Sequence, residues 1–271
     1  MMKRMIAVNS NCYHGYSIND AIDGIASAGF HYIELTATKG WTEHVFPTMQ
    51  FDALWRIKEK LADADLVPFS MSGHCNLMDQ DRIPDFIDNM RLAHFYGCDT
   101  IASSIGEAHI EDKAVLTDEE VADQISTLLP YLDEYELDLV LENHGDHATG
   151  MTIKGIVDLI NSPLVSINYD TANVIYFAGI DPLEDMPGCV DQIGFMHVKD
   201  KLGGKGDWHF PALGQGKVDF PKILDLLEGS GNDCPWSIEI EFTSDGPKDL
   251  QEVNQAVKDS YDYLKSLGLI I

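Results

Sequence analysis

The stretch Leu137-Asp138-Leu139-Val140-Leu141-Glu142-Asn143-His144-Gly145 decides how the chain is to be read. An apolar run of strand length carries few charges, stops on a carboxylate and is followed by a glycine turn. Working outward, the same design recurs. Apolar runs occupy 5–8, 32–35, 66–71, 100–103, 137–141, 165–169, 193–198 and 237–242, eight in all. Between them lie segments with apolar residues three and four apart, the spacing of a helix that buries one face. Strands alternating with helices imply parallel neighbours, because a parallel pair needs a crossover connection. Eight such units over 271 residues predict one α/β domain, a (β/α)8 TIM barrel spanning 1–271. No GxGxxG or GxxxxGK[ST] follows any run, which argues against a nucleotide-binding open sheet.

Two helices can be read in more detail. Val121, Ile125, Leu128, Leu129 and Leu132 form one apolar stripe, begun by a capping box of Thr117 with Glu120 and interrupted by Pro130. Leu250, Val253, Val257, Tyr261 and Leu264 form another, closed by Gly268.

Composition removes several partners. Asp and Glu number 45 against 18 Lys and Arg, a formal charge of -27 that repels phosphate backbones and anionic membranes. Nucleic acid and membrane are therefore not expected as partners. No apolar run approaches the roughly 20 residues of a membrane span. Residues 5–8, after Lys3 and Arg4, are too short for a signal-peptide core and read as a first strand, so a cytoplasmic protein is expected. The five cysteines (Cys12, Cys75, Cys98, Cys189 and Cys234) are scattered and odd in number, as expected of reduced thiols filling a core.

Most of the eight runs finish in polar residues: Asn9, Glu34, Ser72 with His74, Ser103 with Ser104, Glu142, Asp170, His197 and Glu239. In a barrel all those ends meet at one mouth. Adjacent strands lie about 4.8 Å apart, so Glu142, Asp170, His197 and Glu239, from the last four strand ends, can surround one ion. Three carboxylates with one imidazole make a hard donor set. It suits Mn²⁺ first, then Mg²⁺ or Co²⁺, with Zn²⁺ also admissible. His144 shares the face of Glu142 and has a pKa suited to acid–base work. The glycine-rich segment 201–218, with Trp208 and His209, reads as a binding loop. His74, Trp208, His209, and Trp41 with His44 are further candidates to touch a substrate at the mouth. His31, His94 and His109 receive no role.

The four segments Glu142-Asn143, Tyr169-Asp170-Thr171, His197-Val198-Lys199-Asp200 and Ser237-Ile238-Glu239 resemble those of the xylose-isomerase-like TIM barrel superfamily. The resemblance runs over essentially the whole chain. It implies that Glu142, Asp170, His197 and Glu239 are metal ligands, Glu239 being preferred over Glu241 for its Ser-Ile-Glu context. It also implies a divalent-metal-dependent isomerase or epimerase of a ketose or related polyol. Glu142 and Glu239 would move a proton through a cis-enediolate held by the cation, and Lys199 would offset the oxyanion unless it is a surface lysine paired with Asp200. Asn173, where the AP endonuclease branch has histidine, joins Glu241 as a substrate contact, and with the acidic charge it argues against DNA repair. A related branch implies the alternative, a lyase or dehydratase that cleaves 3-oxo-glycosides with a small second subunit. Homo-oligomers are common in the superfamily, and a small sugar or glycoside is the expected substrate.

Overall fold

A computed structural model describes residues 4–106 and 116–270; His109 lies outside them. Eight parallel strands close on themselves: β1 (Ile6–Asn9), β2 (Tyr32–Thr38), β3 (Val67–Ser72), β4 (Thr100–Ser103), β5 (Asp138–Glu142), β6 (Val165–Asp170), β7 (Ile193–Val198) and β8 (Trp236–Ile238). Each pairs with the next in order, and β1 pairs with both β2 and β8, so no barrel edge is left open. Helices α1 (Ile18–Ala28), α2 (Phe51–Asp63), α3 (Ile83–Tyr96), α4 (Asp118–Ser126), α5 (Leu129–Tyr135), α6 (Gly150–Ile160), α7 (Pro182–Asp185), α8 (Phe220–Ser230) and α9 (Leu250–Ser266) lie along the connections.

The stripe expected as one helix is two. The Thr117–Glu120 capping box opens α4, and Pro130 sits in the first turn of α5, where its missing N–H costs nothing. Val121, Ile125, Leu128 and Leu132 are nevertheless all fully buried, so the apolar pattern survives the break. The final strand also differs from the expected 237–242. Its pairing ends at Ile238, and Phe242 has a left-handed φ of 59°.

Two cores result. The larger fills the space between barrel and helices, where all five cysteines are buried and free. The smaller holds Ala7, Phe69, Ala102, Val140 and Phe195. Phe69 of β3 and Phe195 of β7 come from far sides of the ring, yet their rings stack at 5.6 Å, which places this core inside the barrel. Side chains alternate along a strand. The residues two beyond Val140 and Phe195 are Glu142 and His197, so the apolar plug forms the floor on which the polar cluster stands. No helix among the described residues is long and apolar enough to cross a membrane.

Candidate metal centre

Glu142 ends β5, Asp170 ends β6, His197 lies in β7, and Glu239 follows β8 directly. One ligand atom from each lies within 4.8 Å of every other, and all four residues are buried. The local sequence sets each one. Asn143 Oδ1 accepts the Asp170 backbone N–H at 2.7 Å, and its amide donates to the Asp170 carbonyl at 3.0 Å. Asn168 Oδ1 likewise holds the His197 N–H at 3.0 Å.

His197 is clamped between two carboxylates, with Nδ1 2.5 Å from Glu142 Oε1 and Nε2 3.0 Å from Glu34 Oε2. Burial opposes its charged form, but Glu34 and Glu142 outweigh burial and raise its pKa well above the ordinary value. Burial also acts to raise Glu142, and here His197 and His74 prevail and hold the carboxyl far below its usual range. Asp170 goes the other way. Burial, reinforced by Glu142 and Glu239 against the pull of Lys199, lifts it to about 8.

Asp170 also tests whether a cation fits. Its Oδ1 accepts the N–H groups of Ala172 and Asn173 at 2.7 and 2.8 Å. Its Oδ2 is buried without a hydrogen-bond partner, 3.9 Å from the nearest ammonium, Lys199 Nζ. A buried carboxylate oxygen without a donor is costly, and three carboxylates packed together repel one another. Both costs disappear if a hard divalent cation sits among them, so the residues present fit such an ion.

Lys199 is no surface lysine. It is buried and donates to Glu239 Oε2 at 3.1 Å, with Glu241 Oε2 at 2.6 Å. Glu239, Glu241 and Asp170 together overcome burial and raise its pKa well above the ordinary value. Its sequence neighbour Asp200 is occupied elsewhere, accepting four backbone N–H groups. Glu241 does reach the mouth with Glu239, but as the partner of Lys199, outside the four-residue cluster.

Two connected spaces open above the floor. A narrow cleft of about 30 Å³ is bordered by Glu142, Glu239, His74 and Ser72. It leads into a cavity of about 730 Å³. Asn173, Lys199, His144 and Glu241 border both. Trp41 and Trp208 stand on the outer wall. The Nδ1 of His74 accepts the Ser104 N–H at 2.9 Å, so its Nε2 carries the proton, 3.9 Å from Glu142 Oε2. His144 is kept neutral by burial, which lowers its pKa to about 4.

Two expected contacts do not reach the mouth. His209 pairs with Thr243 in a short antiparallel ladder, His209–Phe210 against Phe242–Thr243. Alternation turns Trp208 and Phe210 to the cavity and His209 to a separate groove with Gln215 and Asp259. His44 is buried against the Tyr16 carbonyl at 3.2 Å. Several residues escaped the sequence reading as parts of the site, among them Glu34 as the brace of His197, Asn11, His14 and Tyr176. Asn11 donates to Glu239 Oε1 at 3.0 Å and accepts from Trp41 Nε1 at 2.9 Å, joining the floor to the wall. Glu34 stood out as a polar strand end; nothing local marked the others.

A family model described as xylose isomerase-like TIM barrel matches residues 22–267. No curated protein matches the sequence. Among solved structures, a D-allulose 3-epimerase from Methylomonas sp. superposes with a TM-score of 0.74 at 17% identity, covering 98% of each chain. The IOLI protein with a binding zinc atom gives 0.77 at 17% identity, over 98% of this chain and 99% of that one. A xylose isomerase-like TIM barrel protein from Mycobacterium smegmatis in complex with magnesium gives 0.73 at 15% identity, over 97% of each. At these identities the likeness is one of fold.

Proposed function

We propose that this chain, which belongs to the xylose isomerase-like TIM barrel family, is a divalent-metal-dependent isomerase or epimerase of a ketose or related polyol, with Mn²⁺ the first choice of ion. The observation that carries the reading is the buried quartet Glu142, Asp170, His197 and Glu239 with its unpartnered Asp170 oxygen. A cation held there would polarise a substrate carbonyl as a Lewis acid and offset charge on its oxygens. The chain's own groups supply the rest. Glu142, kept ionised, and Glu239 are the candidates to remove a proton beside the carbonyl and to return it. Lys199, kept charged, balances the negative charge that then develops. His74 offers an Nε2–H donor to a substrate oxygen, and His144, held neutral by burial, borders the same cleft as an uncharged hydrogen-bonding group.

Purified without chelator, the wild type is expected to carry a near-stoichiometric divalent ion, and Glu142→Gln and Glu239→Gln are expected to lose it. With metal, a ketose substrate should take up solvent deuterium at the carbon next to its carbonyl, and both variants should fall by about 10³-fold or more. A wild type that stays metal-free after adding Mn²⁺, Mg²⁺, Co²⁺ or Zn²⁺ overturns the reading. An eliminated product in place of an epimer would assign a lyase.

A further inference from the structure

The floor and the wall of this site are built for different chemistries. The cleft among the carboxylates admits little more than the carbonyl end of a polyol. The outer cavity, at about 730 Å³, lies in the range of roughly 300–1,000 Å³ that suits drug-sized ligands. Trp41, Tyr176, Phe177, Trp208 and Phe210 line it. A bare ketose seated on the floor would leave most of these rings facing water.

The rings are also fixed in place. Trp41 is held by Asn11 and stacks on His14 at 4.0 Å with 12° between planes. Trp208 meets Tyr176 edge-on at 5.6 Å and Phe210 edge-on at 5.1 Å. Preset rings bind a flat apolar group with little loss of side-chain freedom. Charge points the same way. Among the described residues lining the cavity, Lys199 is the one with a permanent positive charge, and Glu239 and Glu241 occupy it. Asp245 adds negative charge to the wall. A phosphate would find repulsion here in place of a partner.

We propose that the substrate of this site is an unphosphorylated polyol bearing an uncharged aromatic group, its hydroxyls on the carboxylate floor and its ring among Trp41, Tyr176, Phe177 and Trp208. The proposal rests on the reading of the floor as the carbonyl-binding end. It concerns the outer wall, so it fails independently of that reading.

Equilibrium binding to the full chain tests it with three probes: methyl β-D-glucoside, phenyl β-D-glucoside and D-glucose 6-phosphate. The phenyl glycoside is expected to bind at least about tenfold tighter than the methyl glycoside, with the phosphate weakest. Trp208→Ala should bring the phenyl-to-methyl ratio to about one, because the ring removed is the one that would face the aromatic group. Phe177→Ala, on a different element, should lower the same ratio if Trp208→Ala fails to fold. A wild-type ratio near one, no detectable binding of the phenyl glycoside, or tightest binding of the phosphate overturns the proposal. Metal content and deuterium uptake do not depend on that ratio, so either reading can fall without the other.

Discussion

Two buried aspartates stand one strand apart at the barrel mouth and are treated in opposite ways. Asp200 Oδ1 accepts the N–H groups of Lys201 and Val218 at 2.8 and 3.1 Å, and its Oδ2 those of Gly214 and Gly216 at 2.9 and 2.7 Å. Every contact is backbone, and together they pin the segment 201–218 that carries Trp208. The approach is so close that a Cβ on Gly216 would lie 2.2 Å from Asp200 Oδ1, so only glycine fits. The glycine-rich segment read as a binding loop is thus anchored. Asp170 Oδ1 is satisfied by two N–H groups, while its Oδ2 is left without a donor among like charges. Burial alone therefore does not distinguish architecture from chemistry. What distinguishes them is whether the second oxygen has been given donors or kept open.

Replacing each by its amide should separate the two roles. Asp170→Asn keeps an oxygen for Ala172 and Asn173 and removes only the open oxygen's charge. Metal binding is expected to be lost and turnover to fall by about 10³-fold or more, while the metal-free protein, relieved near neutral pH of a buried acid crowded by Glu142 and Glu239, unfolds at a higher denaturant midpoint. Asp200→Asn turns an NH₂ toward two backbone donors. It should cost about 3 kcal/mol or more, at roughly 1.5–3 kcal/mol for each hydrogen bond to a charged acceptor, with metal still bound to whatever stays folded. Denaturant titration with metal analysis reads both. If Asp200→Asn strips the metal at full stability, the division of labour collapses.

A smaller effect is expected one layer out, at Glu34. Its carboxylate grips His197 Nε2 at 3.0 Å and so orients the ring whose Nδ1 faces Glu142. Glu34→Gln should weaken the metal by about 10–100-fold, the usual effect of losing a carboxylate behind a ligating histidine. Competition with a chelator measures it, and an unchanged affinity would show that the barrel alone sets the ring.

Glu34 also marks where the sequence stops being readable. The barrel, the strand ends and the four clustered residues could be seen because each depends on local pattern: an apolar run, then a polar stop. For Lys199 the sequence left two readings, a charge at the oxyanion or a surface lysine paired with Asp200, because its partners Glu239 and Glu241 lie some forty residues downstream and meet it only after closure. Strand alternation placed Glu241 beside Glu239, but the ladder ends at Ile238, and both carboxylates arrive on irregular backbone turned by Phe242 at φ 59°. His209 was misplaced for the converse reason. A two-residue ladder within an apparently structureless segment fixed its side, and nothing in the glycines announced it.

The remaining expected effect is a slope, small at each step of pH. With its folded pKa lifted to about 8 from an unfolded value near 3.8, Asp170 binds a proton more tightly in the folded, metal-free protein than in the unfolded chain. Its protonated form therefore stabilises the fold fully below pH ~4, and that contribution fades as pH rises toward 8, by at most about 1.4 kcal/mol per pH unit. A cation must displace the same proton, so metal affinity should climb with pH by up to about tenfold per unit and level off near 8. Unfolding curves of the metal-free protein across pH 5 to 8 would show the decline, Asp170→Asn would abolish it, and metal titrations over the same range would show the opposite trend. A metal-free stability that stays flat over that interval would mean that Asp170 is ionised without a cation. Its open oxygen would then be tolerated by the fold, and the contrast with Asp200 would be one of hydrogen-bond count alone.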